Sequence, residues 1–329
     1  SKQNLLDCDR KGLESFFLTI GVSAFRAKQL LRWIYQRGVV DFQQMTDLSK
    51  SLRQQLMSEG CIQLPEVIEE QISTDGTRKF LLRVSDGNSI ETVYIPEAKR
   101  RTVCVSTQVG CALNCRFCHT AQQGFNRNLQ VGEIIAQVWI VNQYLRQQAQ
   151  PLLSNVVLMG MGEPLLNFTH VVAAIGIMLD DFAYGLSKRR VTLSTSGVVP
   201  GIERLQTTCP VSLAVSLHAA RDSLRDQLVP INKKYSLEML LTACRAYAKE
   251  GSRRHITFEY VMLDGVNDSD QDAKELVRLL KDIPAKINLI PFNTFPGTCY
   301  RCSSAVTIER FTRILQQRGL TTTVRKTRG

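Results

Sequence analysis

Three cysteines stand close together at Cys111, Cys115 and Cys118, with three and then two residues between them. Thiolates are ligands for soft metals and for iron–sulfur clusters. A short loop can aim three thiolates at one [4Fe–4S] cubane but not four, which leaves one iron without a protein ligand. Such an iron can chelate an external molecule, and the amino and carboxylate groups of an amino acid suit it. The competing reading is a structural zinc site. That site wants four protein ligands in closed geometry, so Cys104 or His119 would have to supply the fourth. Paired C-x2-C knuckles are the commoner zinc pattern, and the spacing favours a cluster.

A loop of this kind needs a rigid element before it. From residue 102 onward, apolar strand-like runs alternate with helix-like periodicity. Strands are expected over 102–107, 155–160, 190–196, 211–217, 255–263 and 286–292, with a further one over 321–324. Helices are expected between them over 131–146, 168–179, 237–250 and 270–281. Such alternation implies parallel strands with helical crossovers. About six units predict an α/β fold, an open partial (β/α)6 barrel. In barrels function gathers at the C-terminal ends of strands. The chemically unusual residues do follow the expected strands: the three cysteines, Gly162 and Glu163, Ser194, Ser216 with Leu217 and His218, and Asn293.

The N-terminal part reads differently. Leu13, Phe16, Phe17 and Ile20 repeat at helical spacing, as do Ala27, Leu30, Leu31 and Ile34, and a third helix is expected over 49–57. Residues 78–84 and 89–95 flank a turn containing Gly87 and Asn88, a hairpin signal. The expected organisation is a helical accessory domain over 1–60, a β-hairpin extension and linker over 61–98, and the barrel over 99–329.

The formal net charge is +11. Residues 1–60 hold nine basic against six acidic side chains, residues 61–100 five against seven, and residues 101–329 twenty-seven against seventeen. Short basic clusters include Lys188, Arg189 and Arg190, then Arg253 and Arg254, and finally Arg325, Lys326 and Arg328. A phosphate backbone releases counterions to such groups, so nucleic acid is a natural partner; a solvated basic surface is the plainer alternative. Ten cysteines are many for a reducing compartment, where clustered thiols mean metal or catalysis more often than disulfides. No apolar run approaches the ~18 residues of a membrane span. A cytoplasmic protein with no membrane partner is the expectation. The chain starts without Met and ends at Gly329, which reads as a trimmed chain.

The cysteine spacing after a first barrel strand is the signature of the radical S-adenosylmethionine superfamily. Six segments narrow the likeness: CVSTQVGC at 104–111, TAQQGFNRNL at 120–129, MGMGEP at 159–164, LSTSG at 193–197, SLHA at 216–219 and LIPFN at 289–293. With them the chain resembles, over nearly its whole length, the RlmN/Cfr family of RNA methyltransferases. The resemblance implies methylation of adenosine C2 in 23S rRNA and beside the anticodon in tRNA, a [4Fe–4S] cluster and two S-adenosylmethionine molecules per turnover. It implies an electron donor such as flavodoxin, and a monomer. Cys111, Cys115 and Cys118 would hold the cluster. Gly162, Glu163, Ser194, Ser216, Leu217, His218 and Asn293 match the family's cofactor contacts.

The resemblance also implies a two-cysteine route. A methyl group is placed on a C-terminal cysteine, a second cofactor yields a 5′-deoxyadenosyl radical, and the methyl carbon adds to the adenine. Cys104 then resolves the protein–RNA thioether through a transient disulfide. C2 of adenine is too poor a nucleophile for ordinary methyl transfer, so a cofactor must supply the hard step. Glu91 matches a family glutamate proposed as proton acceptor. Strand alternation puts it on one face with Val93 and Ile95, where an apolar setting would resist ionisation; the plain alternative is an edge-strand Glu paired with a nearby Arg. For Cys104, a core thiol is the plain alternative, for His218 a satisfied core histidine, and for Glu163 an acid at a helix N-terminus.

Three departures stand out. The methyl-carrying cysteine belongs just beyond residues 324–329, so this chain as given is expected to bind cluster and cofactor without completing methyl transfer. His119 stands where the family more often has a small residue. Cys299 and Cys302 form a second close pair and read as incidental thiols. The rivals are a C8-specific methyltransferase of the Cfr type and a non-catalytic RNA-binding protein with a structural metal.

Overall fold

The helical spacing of the first sixty residues becomes helices in the computed structural model, which describes residues 2–249 and 255–325. The chain separates into two compact units. One comprises Ser1–Val109, Arg127–Met161 and Asn167–Val191; the other comprises Gly110–Asn126, Gly162–Leu166 and Thr192–Gly329.

The first unit begins with a two-residue strand β1 (Gln3–Asn4), followed by α1 (Arg10–Thr19), α2 (Arg26–Leu31), α3 (Lys50–Glu59) and β2 (Gly60–Cys61). Asp9 and Ser49 are the caps that start α1 and α3, their side chains accepting from the amides of Gly12 and Leu52. The buried faces are the expected ones: Leu13, Phe16 and Phe17, then Ala27, Leu30 and Leu31. Ser49 is thus the cap of the third helix, not its first residue. β1 pairs in parallel with β2, a closure too short to leave a periodic signal.

An antiparallel meander follows: β3 (Glu66–Ile72), β4 (Arg78–Arg83) and β5 (Ser89–Pro96). Its second turn is the expected hairpin, and β3 adds an exposed outer strand. β6 (Arg101–Cys104) runs antiparallel to β5, with Cys104 opposite Val93. After β7 (Gln108–Gly110), α4 (His119–Gln122), β8 (Phe125–Asn128) and α5 (Val131–Gln147), β9 (Asn155–Leu158) returns parallel to β6, with Val157 beside Cys104. α6 (Phe168–Leu179) follows as expected.

The first barrel strand, expected over 102–107, stops at Cys104. The reason is Gln137, a fully buried amide on α5. Its Oε1 accepts from the Ser106 amide at 2.7 Å, and its Nε2 donates to the Ser106 carbonyl at 2.9 Å. Both backbone groups of Ser106 are thereby satisfied by a side chain and leave the ladder.

The second unit carries β10 (Val191–Thr195), α7 (Val199–Thr208), β11 (Ser212–Ser216), α8 (Asp222–Leu228), α9 (Leu237–Lys249), β12 (Ile256–Met262), α10 (Asp270–Leu279), β13 (Ala285–Pro291), α11 (Ala305–Gln317) and β14 (Thr321–Val324). Strands β10 to β14 pair in parallel, in chain order. The buried runs of β11 and β12, such as Leu213, Ala214 and Val215, suit strands covered on both faces. All six expected βα strands are present, and 321–324 is the seventh. Residue 250 of the expected fourth helix, the pair Arg253 and Arg254, and residues 326–329 lie outside the described residues. No helix among the described residues is long and apolar enough to cross a membrane.

Candidate active site

The cysteine loop is shaped by a close backbone approach at its start. Gly110 has φ +74°, and a Cβ there would collide with the Gly124 carbonyl oxygen, which accepts from the Cys111 amide at 3.0 Å. A side chain would therefore push Cys111 out of place. The Cys118 amide donates to the Cys115 carbonyl at 3.1 Å, and the Arg116 amide to the Leu228 carbonyl at 3.1 Å. Cys111 and Cys115 are buried and Cys118 is half-buried. The three pack with Leu113, Ala219, Leu228 and Phe292 in one apolar cluster. The Phe117 ring meets the His218 ring edge-on, with centroids 4.4 Å apart.

Burial pushes the Cys111 thiol up to about 11 and the Cys115 thiol up to about 12, the latter opposed by a hydrogen bond with the Ser196 side chain. At neutral pH both are thiols, and each must lose a proton to ligate iron. Among the described residues no three His, Cys, Asp or Glu side chains converge closely enough for a single metal ion. A zinc site needs all its ligands on one ion, with Zn–S bonds of about 2.3 Å. A cubane presents a different iron to each thiolate and accepts wider spacing. Three thiols on one apolar floor therefore fit a cluster. His119, the suggested fourth zinc ligand, instead packs against the Phe295 ring with centroids 5.4 Å apart.

A carboxylate stands in the same unit. Gly162, at φ +101°, leads into Glu163, which is 2 % exposed. Its Oε1 accepts from the Leu165 amide at 3.1 Å and its Oε2 from the Ser196 amide at 2.8 Å. The first bond lies in the helical turn that follows, so the acid does serve a helix N-terminus. The second ties it to the end of β10. Burial pushes its pKa up to about 7. A buried carboxylate poised there would ionise fully on meeting a cation.

The other expected cofactor contacts lie in or just after the successive strands β10, β11 and β13. Ser194 is half-buried within β10, and Ser216 closes β11. The Leu217 amide donates to the Glu259 carbonyl at 3.0 Å. His218 is buried at φ +62°, a conformation rare for a residue with a side chain. Its Nδ1 accepts from the Val261 amide at 3.0 Å, and its carbonyl accepts from Asn267 Nδ2 at 2.9 Å. Burial pushes its pKa down to about 3, so the ring is neutral with its proton on Nε2. The Nδ1 edge of the ring is thus tied to β12, and the backbone carbonyl to Asn267. Asn293 is exposed just beyond β13. Cys299 and Cys302 are both exposed, and Cys302 bridges Leu263.

Cys104 and Glu91 belong to the other unit. Cys104 ends β6, half-buried between Val93 and Val157. Glu91 corrects an expectation. It does share a face with Val93 and Ile95, but the buried face of β5 is that of Ile90, Thr92 and Tyr94. The Glu91 side chain is 49 % exposed and pairs with Lys79 Nζ at 3.4 Å. Its apolar setting is absent, because the pleat turns it toward solvent. Sequence reasoning passed over Arg225 and Asn232 entirely. The available signal was an arginine three and four residues before Leu228 and Val229, on an apolar helical stripe.

Residues 105–279 match the family model of the radical SAM superfamily, and residues 3–62 that of the ribosomal RNA large subunit methyltransferase N-terminal domain. A dual-specificity RNA methyltransferase RlmN of Alkalilimnicola ehrlichii is 58% identical over 326 residues, covering 99% of this chain and 90% of that protein. The chain belongs to the RlmN family. It is accordingly an S-adenosylmethionine-dependent RNA methyltransferase of the radical superfamily. A radical SAM methyltransferase from Sphaerobacter thermophilus, of solved structure, superposes with a TM-score of 0.93 at 43% identity, covering 99% of this chain and 96% of that one. The family carries a [4Fe–4S] cluster and S-adenosylmethionine, and the three-cysteine loop is the place in this member that fits the cluster.

Proposed function

We propose that this chain, when extended through the cysteine expected beyond Gly329, methylates C2 of adenosine in 23S rRNA and in tRNA beside the anticodon, through an S-methylcysteine and a transient protein–RNA adduct. The observation that carries the reading is the placement, in one unit, of the three-cysteine loop and a buried Glu163 held by the end of β10. The identity along 99% of the chain to a dual-specificity RNA methyltransferase supports the substrate class.

When bound, cluster and cofactor supply the one-electron chemistry that an unreactive ring carbon demands. Cys111, Cys115 and Cys118 would hold the cluster as thiolates. Glu163, fixed by two amides, would accept a hydrogen bond from the cofactor's amino group. Gly162, Ser194, the run Ser216, Leu217 and His218, and Asn293 line the cofactor's remaining surface. Cys104 is the thiol that frees the RNA, and Glu91 accepts a proton from the adenine ring. Glu91 does so as an accessible carboxylate beside Lys79, not as a buried one. Two cofactor molecules are consumed per turnover, a flavodoxin-type protein donates electrons, and the enzyme works as a cytoplasmic monomer. The target base leaves its stack to reach the site.

The test uses the chain extended through the cysteine expected beyond Gly329. After anaerobic reconstitution with S-adenosylmethionine, reductant and unmodified rRNA or tRNA, the nucleosides are analysed by mass spectrometry. 2-Methyladenosine is the expected product. 8-Methyladenosine, or 5′-deoxyadenosine alone, would overturn the assigned reaction. Cys104→Ala in the same assay is expected to leave protein covalently bound to RNA, seen as a slower band on a denaturing gel.

A further inference from the structure

Arg225 is the largest fully buried side chain among the described residues. It stands on α8 and spends its donors on backbone carbonyls. Nε donates to the Leu217 carbonyl at 3.0 Å, and Nη2 to the carbonyls of Ser196 at 2.7 Å and Ser216 at 2.9 Å. Nη1 donates to Asn232 Oδ1 at 2.8 Å. Asn232 is held in turn, its Nδ2 donating to Asp222 Oδ1 at 2.8 Å and Asp226 Oδ1 at 2.7 Å. Among the described residues no carboxylate stands within ion-pair distance of the guanidinium. Burial pushes its pKa down to about 10, which leaves it cationic at neutral pH.

A fully desolvated cation is a costly way to fill a core, and an apolar side chain of similar volume would serve packing as well or better. What the cation gains is geometric. Its three carbonyl partners are the ends of β10 and β11. One of them belongs to Ser196, whose amide holds Glu163 Oε2 at 2.8 Å. Three residues on, the Leu228 carbonyl of the same helix receives the Arg116 amide of the cysteine loop. A single helix therefore ties the loop of Cys111, Cys115 and Cys118 to both strand ends.

We infer that Arg225 is a positioning residue for S-adenosylmethionine: its fork fixes the ends of β10 and β11, and through the Ser196 backbone the Glu163 carboxylate. This rests on the reading of Glu163 and the strand-end residues as cofactor contacts. Lysine in its place keeps the charge but cannot span three carbonyls with a planar fork. Asn232→Ala keeps the fork but removes the side chain that orients it.

The experiment compares the anaerobically iron-loaded native chain with Arg225→Lys, Arg225→Met and Asn232→Ala. Iron and sulfide content and far-UV circular dichroism establish that each variant is loaded and folded. Equilibrium dialysis gives the S-adenosylmethionine dissociation constant, and electron paramagnetic resonance gives the change in the reduced cluster's spectrum on adding it. At native iron content, Arg225→Lys and Arg225→Met are expected to bind about tenfold or more weakly, as typical for loss of a supporting partner, with a diminished spectral change. Asn232→Ala is expected to lie between them and the native chain. Native affinity and an undiminished spectral change in Arg225→Lys would overturn the inference, as would affinity lost only in step with iron. If the Arg225 variants do not load iron, Asn232→Ala decides in the same way. Absence of cofactor binding by the native chain itself would instead overturn the functional reading beneath it.

Discussion

Glu163 is buried, and the proposed reading sets it against the cofactor. Its carboxyl titrates near 7 instead of its ordinary 4.5 because burial penalises the charge more than the amides of Ser196 and Leu165 repay. Between those two values the folded chain holds a proton that the unfolded chain has released. Stability of the iron-free chain therefore falls as pH rises from about 4.5 to about 7, by roughly 3 kcal/mol from this one group. In urea titrations, the native-minus-Glu163→Gln difference should decline over that window; a flat difference would contradict the assignment. The same logic applied to ligand binding predicts that S-adenosylmethionine binds the loaded chain more tightly as pH rises through about 7, and that Glu163→Gln abolishes the dependence. Cys111→Ala, Cys115→Ala and Cys118→Ala should each leave the chain soluble but lower bound iron after reconstitution by more than half. Iron retained at the native level in any of the three would remove that cysteine from the ligand set. Glu91 shows the limit at this scale. Its shared face with Val93 and Ile95 was legible in the alternation, but which face meets the core depends on what packs beneath the sheet.

Elements determine how these side chains are held. Gln137 on α5 connects three segments of its unit: it satisfies both backbone groups of Ser106, and its Oε1 also accepts from Thr92 Oγ1 at 2.8 Å. Ser106 Oγ in turn donates to the Glu91 carbonyl at 2.7 Å and accepts from the Met161 amide at 3.0 Å. The segment carrying Cys104 thus ends where a helix side chain takes over from the ladder. Gln137→Met keeps volume and removes these bonds, so it should cost about 2 kcal/mol, the penalty of buried groups left unpaired. The urea midpoint checks it; an unchanged midpoint would show that the network is dispensable. In the second unit, α8 acts through Arg225 on β10 and β11. Helix periodicity placed α5 and α6 within a residue or two, because an amphipathic stripe is local information. Neither Gln137 nor Arg225 announced its role, because each looks like an isolated polar residue until its carbonyl and amide partners are assembled around it.

At the scale of the whole molecule, residues 101–329 carry a net charge of +10 and the N-terminal sixty +3. If phosphate attraction drives RNA binding, affinity should fall about tenfold or more between 50 and 200 mM salt, measured by filter binding with an unmodified substrate fragment. A slope near zero would mean that shape and base contacts dominate. Much of the architecture was readable from one dimension. The three-cysteine spacing, the alternation of apolar runs with helical stripes and the hairpin around Gly87 are patterns set by covalent spacing, since ligand reach, pleat and helix pitch are fixed by local geometry. The family likeness rested on the same local segments. What required three dimensions was every feature that depends on a partner distant in sequence. Glu163 acquires its raised pKa from burial and a bond to Ser196, thirty-three residues away. His218 becomes a neutral strut by accepting from Val261. Glu91 turns outward, and Arg225 becomes a clamp. Desolvation and hydrogen-bond satisfaction are properties of assembled surroundings, and no spacing along the chain encodes them.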